Sequence, residues 1–146
     1  MAPKRTATGL SVAVVAVAAG VATLCGASAS EETFCNVARP VGIPSGAIAW
    51  TYSLVDDDRD RLERARGDLE LRGLKFDGYG QGPCWPCDSQ ELRMSETAHH
   101  TRESLRVRET MLCEVATQRQ LETYWGATPS DPLYWDAYWG KDGDRN

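Results

Sequence analysis

Several kinds of functional sequence are missing from this chain of 146 residues. It has no glycine-rich phosphate loop, and no serine lies in the glycine context of a nucleophile elbow. The one pair of cysteines separated by two residues is followed by Asp88 and not by histidine, which excludes a c-type haem. Five pairs of opposite charges lie four positions apart between Asp57 and Arg72, which indicates an ion-paired helix surface and not a pair of catalytic carboxylates. The sequence therefore indicates neither an enzyme nor a bound cofactor.

Basic residues are also in the minority. The chain has 16 lysines and arginines against 21 aspartates and glutamates, a formal net charge of −5. The charge becomes −7 when Lys4 and Arg5, the only charged residues before position 31, are removed with the leader predicted below. Phosphate backbones and anionic lipids are repelled by such a protein. We therefore expect no nucleic-acid partner, and membrane contact only through the N-terminal segment.

Charge is absent from the segment between Arg5 and Glu31. A basic start, an apolar run from Leu10 to Leu24, and small residues at Ala27 and Ala29 form the three parts of a secretory signal. We predict that residues 1–29 are a signal peptide cleaved after Ala29 and that the protein is exported, either secreted or periplasmic.

Two other fates of this segment remain open. An uncharged stretch of this length is long enough to cross the bilayer as a helix. Residues 7–30 would then be an uncleaved membrane anchor. Lipid attachment at Cys25 is a third route, although Leu24 stands where lipoprotein signals have a small residue.

Four of the five cysteines follow the predicted signal: Cys35, Cys84, Cys87 and Cys113. An even number in an exported chain predicts two disulfides, and the sequence leaves all three pairings open. Cys84 and Cys87 have the spacing of a thiol-exchange pair, but the chain shows no thioredoxin-like alternation of strands and helices around them. Zinc would require His99 or His100 and Cys113 as further ligands. We predict disulfides and no metal site.

The repeat of apolar residues predicts two helices. Residues 54–72 carry Val55, Leu62 and Leu69 at heptad spacing, with opposite charges four positions apart. Asp88 and Glu91 resemble a capping box, and no proline or glycine occurs from there to Trp125. This pattern predicts a second helix over residues 89–125.

Around these helices, proline and glycine predict irregular structure. The segment 73–86 carries four glycines and two prolines and is predicted to be a turn held by cysteines. We therefore expect a mainly α fold: an antiparallel helical hairpin over 53–125, an irregular arm over 30–52 and an aromatic-rich tail over 126–146. Within the arm, residues 47–52 are compatible with a short strand or a turn of helix.

Aromatic residues are concentrated near the C-terminus, where the dipeptide Tyr-Trp occurs three times. Such a patch suits a platform for sugar rings, a membrane-interface anchor or the docking site of a protein partner. Alternatively, these rings cover the thin apolar stripe of the long predicted helix. The candidate binding residues are Trp125, Tyr134, Trp135, Tyr138 and Trp139.

The segment Phe34-Cys35-Asn36-Val37-Ala38-Arg39-Pro40-Val41 resembles the opening of outer-membrane spanins, small lysis lipoproteins of phages. The resemblance covers these eight residues. It implies a lysis accessory that spans the envelope, anchored by its N-terminal segment and extended by its helices.

Three functions follow as hypotheses. The leading one is an exported, non-enzymatic protein that binds another component of the envelope or the extracellular space. The first alternative is the spanin-like lysis accessory, and the second is thiol-disulfide exchange at Cys84 and Cys87. The sequence does not indicate an oligomeric state.

Overall fold

The structure is a computed structural model that describes residues 32–83 and 88–141. Five strands lie in these ranges: β1 (Phe34–Cys35), β2 (Ile48–Asp56), β3 (Lys75–Gln81), β4 (Gln90–Ala98) and β5 (Thr123–Pro129). Helix α1 (Arg59–Leu71) follows β2, and helix α2 (Arg102–Gln118) follows β4. A 3₁₀ turn (Pro132–Tyr134) leads into the short helix α3 (Trp135–Trp139).

The strands form one mixed sheet in the order β1-β5-β2-β4-β3. Strand β2 is antiparallel to both β4 and β5, β3 is antiparallel to β4, and the short β1 runs parallel to β5. From β2 to β5 the elements follow one another as β-α-β-β-α-β, the succession of the split βαβ or ferredoxin-like motif. The chain is therefore an α/β protein.

Strand β2 lies at the centre of the sheet, between β5 and β4, and its sequence alternates. Ile48, Trp50, Tyr52 and Leu54 are buried in the core, whereas the residues between them point to the opposite face. A period of two places alternate side chains on opposite faces of a strand, so Ile48–Leu54 have one buried apolar face and one more exposed face. The last two residues of β2, Val55 and Asp56, are both buried.

The predicted mainly α hairpin is wrong, and its first helix began too early. Residues 54–56 complete β2, and α1 begins only at Arg59. The Asp58 carboxylate caps the helix by accepting from the backbone N–H groups of Asp60 and Arg61. From there the expected stripe holds, because Leu62, Ala65 and Leu69 face the core.

The predicted helix over 89–125 is also wrong, because three elements occupy this range. Strand β4 alternates with Leu92 and Met94 buried, helix α2 follows, and β5 begins at Thr123. The capping box that starts the helix is formed by Thr101 and Ser104, not by Asp88 and Glu91. The lack of proline and glycine is compatible with a long helix, but buried and exposed residues alternate in β4, as they do in a strand.

The expectations for the turn and the arms were wrong as well. Strand β3 fills half of the glycine-rich segment 73–86. The expected irregular arms contain β1 and most of β2 at one end, and most of β5 with α3 at the other. These segments form strands because each pairs with another strand: β3 pairs with the next strand β4, and β1, β2 and β5 pair with strands far away in sequence. Local composition does not record such pairing.

Helices α1 and α2 pack on the same face of the sheet. The buried core comprises Ile48, Trp50, Tyr52, Leu54, Leu62, Ala65, Leu69, Leu74, Leu92, Met94, Leu105, Leu112, Val115, Ala116, Leu121, Tyr124, Ala127 and Tyr138. Among the described residues, no helix is long and apolar enough to cross a membrane.

The arm between β1 and β2 is fastened to the core at several points. A disulfide joins Cys35 in β1 to Cys113 in α2, with their Cα atoms 5.7 Å apart. The backbone of Asn36 donates to the carbonyl of Tyr124 (2.8 Å), and Val41 donates to the carbonyl of Tyr138 (2.8 Å). The arm therefore lies along β5 and α3 and belongs to the folded domain.

Candidate functional site

One face of the sheet carries no helix among the residues that the structure describes. On β2 this face presents Ala49, Thr51 and Ser53, the positions between the buried ones. Strand pairing places partners from β4 and β5 beside them. Most of these side chains are polar: Thr51, Ser53, Glu91, Arg93, Ser95, Thr97, Thr123 and Thr128. We call this surface the open face.

Two large apolar side chains stand at the β1/β5 end of the open face. Trp125 is 44% exposed and Phe34 is 61% exposed. Phe34 pairs with Thr123, two residues before Trp125 in β5, and its neighbour Cys35 points the other way to reach α2. Exposed rings beside hydroxyl groups are the usual elements of a surface that binds an amphipathic ring system.

A β-bulge positions Trp125. The register between β2 and β5 shifts between Tyr52 and Leu54, so that Trp125 and Gly126 together oppose Ser53. Gly126 has φ +97°, and a Cβ atom there would lie 2.6 Å from the carbonyl oxygen of Asn36. Glycine is therefore required at this position, and the bulge it permits places Trp125 on the open face and Ala127 on the core side.

Hydrogen bonds order the polar part of the open face. The Ser53 hydroxyl donates to the Glu91 carboxylate (2.6 Å), and the Arg93 guanidinium donates to the same group (3.0 Å). At the other end, the hydroxyls of Thr51 and Ser130 are 2.7 Å apart. The face thus carries fixed polar groups with little net charge.

The structure separates Trp125 from the other four aromatic candidates. Tyr138 is fully buried on the helix side, where its hydroxyl donates to the carbonyl of Ala127 (2.8 Å) and its ring packs edge-on against Trp50. The Trp135 indole donates to the carbonyl of Pro129 (2.9 Å). Tyr134 and Trp139 are partly buried against the core. Trp125 alone of the five candidates lies on the open face.

The structure tests the predictions for two of the four cysteines. Cys35 and Cys113 are joined in a disulfide, so Cys113 is not free to bind zinc with His99 or His100. Cys84 and Cys87, the proposed thiol-exchange pair, lie outside the described residues, as do Ala27, Ala29 and the possible anchor at 7–30. Within 32–83 and 88–141, no three histidine, cysteine or acidic side chains are grouped to hold a metal ion.

A buried polar cluster lies between β4 and α2. The Glu96 carboxylate, in β4, accepts from Arg108 in a two-pronged ion pair, from the Tyr52 hydroxyl (2.7 Å) and lies 3.1 Å from Nε2 of His100. Burial pushes the pKa of Glu96 upward, but these donors outweigh it, and the pKa lies below the usual value. Burial also raises the pKa of Tyr52.

His100 extends this cluster to the start of α2. Its Nδ1 lies 3.1 Å from Oγ of Ser104, giving a chain of contacts from carboxylate to imidazole to hydroxyl. The Ser104 oxygen, however, accepts from the backbone of Thr101 (2.8 Å) and contacts the Thr101 carbonyl (3.2 Å). The hydroxyl is therefore engaged in the capping box, and we assign the cluster to holding β4 against α2.

A second buried carboxylate, Glu109, has different surroundings. Its Oε1 accepts from the backbone N–H groups of Ala38 (3.0 Å) and Ala127 (2.8 Å) and from the Tyr124 hydroxyl (3.1 Å). The residue is 1% exposed. Burial raises the pKa of Glu109, and the two backbone N–H groups and the tyrosine oppose this shift without cancelling it. This carboxylate ties the arm, β5 and α2 together.

The sequence prediction missed both glutamates, treating them as part of an ion-paired helix surface. For Glu109 a signal was present. It lies four residues after Leu105 and three before Leu112, on the apolar stripe of α2, where a charged residue needs internal partners. For Glu96 no comparable signal exists, because its partners come from three elements whose arrangement depends on the sheet.

Comparisons with known proteins give no match, so a function can be argued only from the fold and the site. No protein-family model matches the chain, and no curated protein or solved structure shows significant similarity to it.

Proposed function

We propose that the chain is an exported, non-enzymatic domain that binds a glycan of the envelope or the extracellular space on its open face. The observation that carries the proposal is the position of Trp125, an exposed indole held by a β-bulge beside ordered hydroxyl and charged groups. Export is inferred from the signal pattern of residues 1–29, and the disulfide between Cys35 and Cys113 suits an oxidising compartment.

Sugar recognition requires an apolar surface for the ring and polar groups for its hydroxyls. Trp125 and Phe34 supply the first requirement. Ser53, Glu91 and Arg93, which are already hydrogen-bonded to one another, supply donors and acceptors at fixed positions. A pre-ordered polar surface loses little conformational freedom when a ligand binds.

The charge of the open face favours a neutral ligand. Glu91 and Arg93 are paired with each other, which leaves no block of positive charge for a nucleic acid. The open face is also more polar than the apolar interiors that permanent protein interfaces resemble.

The test is co-sedimentation of the purified chain with insoluble peptidoglycan, chitin and cellulose. We expect binding to at least one of them, and we expect Trp125→Ala to weaken it about five- to tenfold, the effect of losing one stacked ring. Leu133→Ala is the matched control, because Leu133 is 77% exposed but lies in the 3₁₀ turn after the sheet.

Two results would contradict the proposal. One is that none of the three polysaccharides retains the chain. The other is that Trp125→Ala is retained as well as the unchanged chain and Leu133→Ala. Retention of a protein partner in place of a glycan would also overturn the ligand class.

A further inference from the structure

A cleft lies on the helix side of the sheet, apart from the open face. Its volume is about 390 Å³, within the range of small-molecule sites. Residues 37–40 of the arm form one wall, and the first two turns of α2 form the other. The lining includes the buried Glu109 and the exposed Arg39.

Glu109 brings a carboxylate oxygen with spare hydrogen-bonding capacity to this cleft. All three of its hydrogen bonds are made by Oε1. No residue in the described ranges donates to Oε2 or forms an ion pair with this carboxylate. Oε2 is not among the fully buried side-chain atoms that lack a partner, so it borders the cleft, where an added donor or a cation can reach it.

The outer part of the cleft offers the opposite charge. Arg39 is exposed and makes no ion pair with any residue in ranges 32–83 and 88–141. Arg102 donates instead to the carbonyls of Pro40 (2.7 Å) and Val41 (3.1 Å), which fixes the wall that carries Arg39. An acceptor for a cation thus lies inside the cleft, and a donor for an anion lies at its mouth.

We propose that this cleft binds a small zwitterion, an α-amino acid or a short peptide, with its ammonium group on Oε2 of Glu109 and its carboxylate on Arg39. The ammonium group supplies three donors and the positive charge that Oε2 lacks. The guanidinium binds a carboxylate through two parallel hydrogen bonds. The site goes beyond the glycan-binding proposal and does not depend on it.

The probes are L-alanine and L-alanyl-L-alanine, titrated calorimetrically into the full chain with its Cys35–Cys113 disulfide intact. Alanine holds its ammonium and carboxylate groups close together, and the dipeptide holds them further apart. Whichever of the two binds more tightly shows whether the cleft takes an amino acid or a short peptide. N-acetylalanine lacks the ammonium group and ethylamine lacks the carboxylate. We expect the zwitterions to bind and both single-charge analogues to bind much more weakly.

Two variants test the assigned contacts. Glu109→Gln keeps an oxygen for the three internal donors and removes the negative charge, so we expect affinity to fall about ten- to a hundredfold. Arg39→Gln removes an exposed cation, and we expect a loss of about two- to fivefold. The matched controls are Glu114→Gln, an exposed residue on the same helix, and Arg64→Gln, an exposed arginine on α1.

The proposal fails if neither zwitterion binds, if N-acetylalanine binds as tightly as alanine, or if the Glu109 and Arg39 variants match their controls. Should Glu109→Gln not fold, the analogue series and Arg39→Gln, whose side chain is at the surface, still decide the result. Trp125→Ala is expected to leave this binding unchanged, which separates it from glycan binding.

Discussion

Glu96, which is partly buried, and Glu109, which is fully buried, both lie beside the same helix, but their carboxylates behave in opposite ways. Glu96 faces the Arg108 guanidinium, and its pKa lies below the usual value despite burial. Glu109 receives only uncharged donors, and burial raises its pKa. The comparison shows that burial alone does not set the charge of a carboxylate, because the charge of its hydrogen-bond donors decides.

The two sites also differ in what they hold together. The Glu96 cluster joins β4 to α2, two elements that are close in sequence. Glu109 joins α2 to Ala38 in the arm and to Ala127 in β5. The first cluster stabilises the central β-α unit, and the second fastens the edge of the domain.

The largest effect is expected from removing the disulfide, which lies on the Glu109 side. Replacing Cys35 and Cys113 together by serine opens a loop with a sequence separation of 78 residues. The chain-entropy model gives a loss of about 4 kcal/mol in the free energy of unfolding. Guanidinium unfolding measures the total loss, and hydrogen exchange locates it.

The location of that loss is the sharper test. The backbone N–H of Ala38, bound to Glu109, is expected to lose protection, whereas the N–H groups of β4 between Leu92 and Glu96 keep theirs until global unfolding. Equal loss of protection on both sides would show that the arm is not a separate unit.

Removing each carboxylate gives the next largest effect. Glu109→Ala leaves two backbone N–H groups and the Tyr124 hydroxyl without their acceptor in a buried place, and we expect a loss of about 3–4 kcal/mol. Glu96→Ala is expected to cost about 2 kcal/mol, because the Arg108 side chain is 25% exposed and water can solvate its charge. Urea unfolding measures both, and the reverse order would contradict the comparison.

The smallest effect is on the pH dependence of stability. For Glu109 the folded-state pKa is raised. The contribution of this shift to the free energy of unfolding is therefore complete below the unfolded-state pKa of about 4.3, and it is lost as the pH rises through the folded-state pKa. For Glu96 the folded-state pKa is lowered. The contribution of this shift to the free energy of unfolding is therefore present above about pH 4.3, the unfolded-state pKa, and it is lost as the pH falls through the folded-state pKa.

Glu96→Gln and Glu109→Gln should therefore differ from the unchanged chain in separate pH ranges and with opposite sign. Each difference in slope stays below about 1.4 kcal/mol per pH unit, the limit for one proton. Thermal unfolding from neutral to acidic pH measures both slopes, with Glu114→Gln as the exposed control. Differences of the same sign would show that the two carboxylates do not have the opposite environments described here.

The sequence predicted part of the fold from local patterns. The stripe of Leu62, Ala65 and Leu69 and the break at Gly73 placed most of α1 correctly, because these signals act within a few turns of one helix. It failed for β5, which pairs with the distant strand β2. It also failed for β3, which pairs with the next strand β4, because the glycines of β3 favoured a turn. The alternation over Ile48–Leu54 is a local signal for β2, and it is visible in the sequence alone.

The candidate sites were less predictable than the fold. Trp125 was among the predicted aromatic residues, but its separation from Tyr138 arises from the sheet, which places one on each side. The cleft combines Arg39 with Glu109, 70 positions apart, and no local pattern connects them. Contacts that only tertiary packing creates leave little trace in a single sequence.

The two-residue strand β1 has a consequence for self-association. Strand β5 would otherwise be the edge of the sheet, with a row of unsatisfied N–H and C=O groups able to pair with a neighbouring molecule. The backbone of Phe34 and Asn36 occupies part of that row through Glu122 and Tyr124, and the covalent link at Cys35 keeps it occupied. The arm thus covers the edge of β5 and prevents neighbouring molecules from pairing with it strand by strand. A strong reductant breaks the disulfide that holds β1 on this edge.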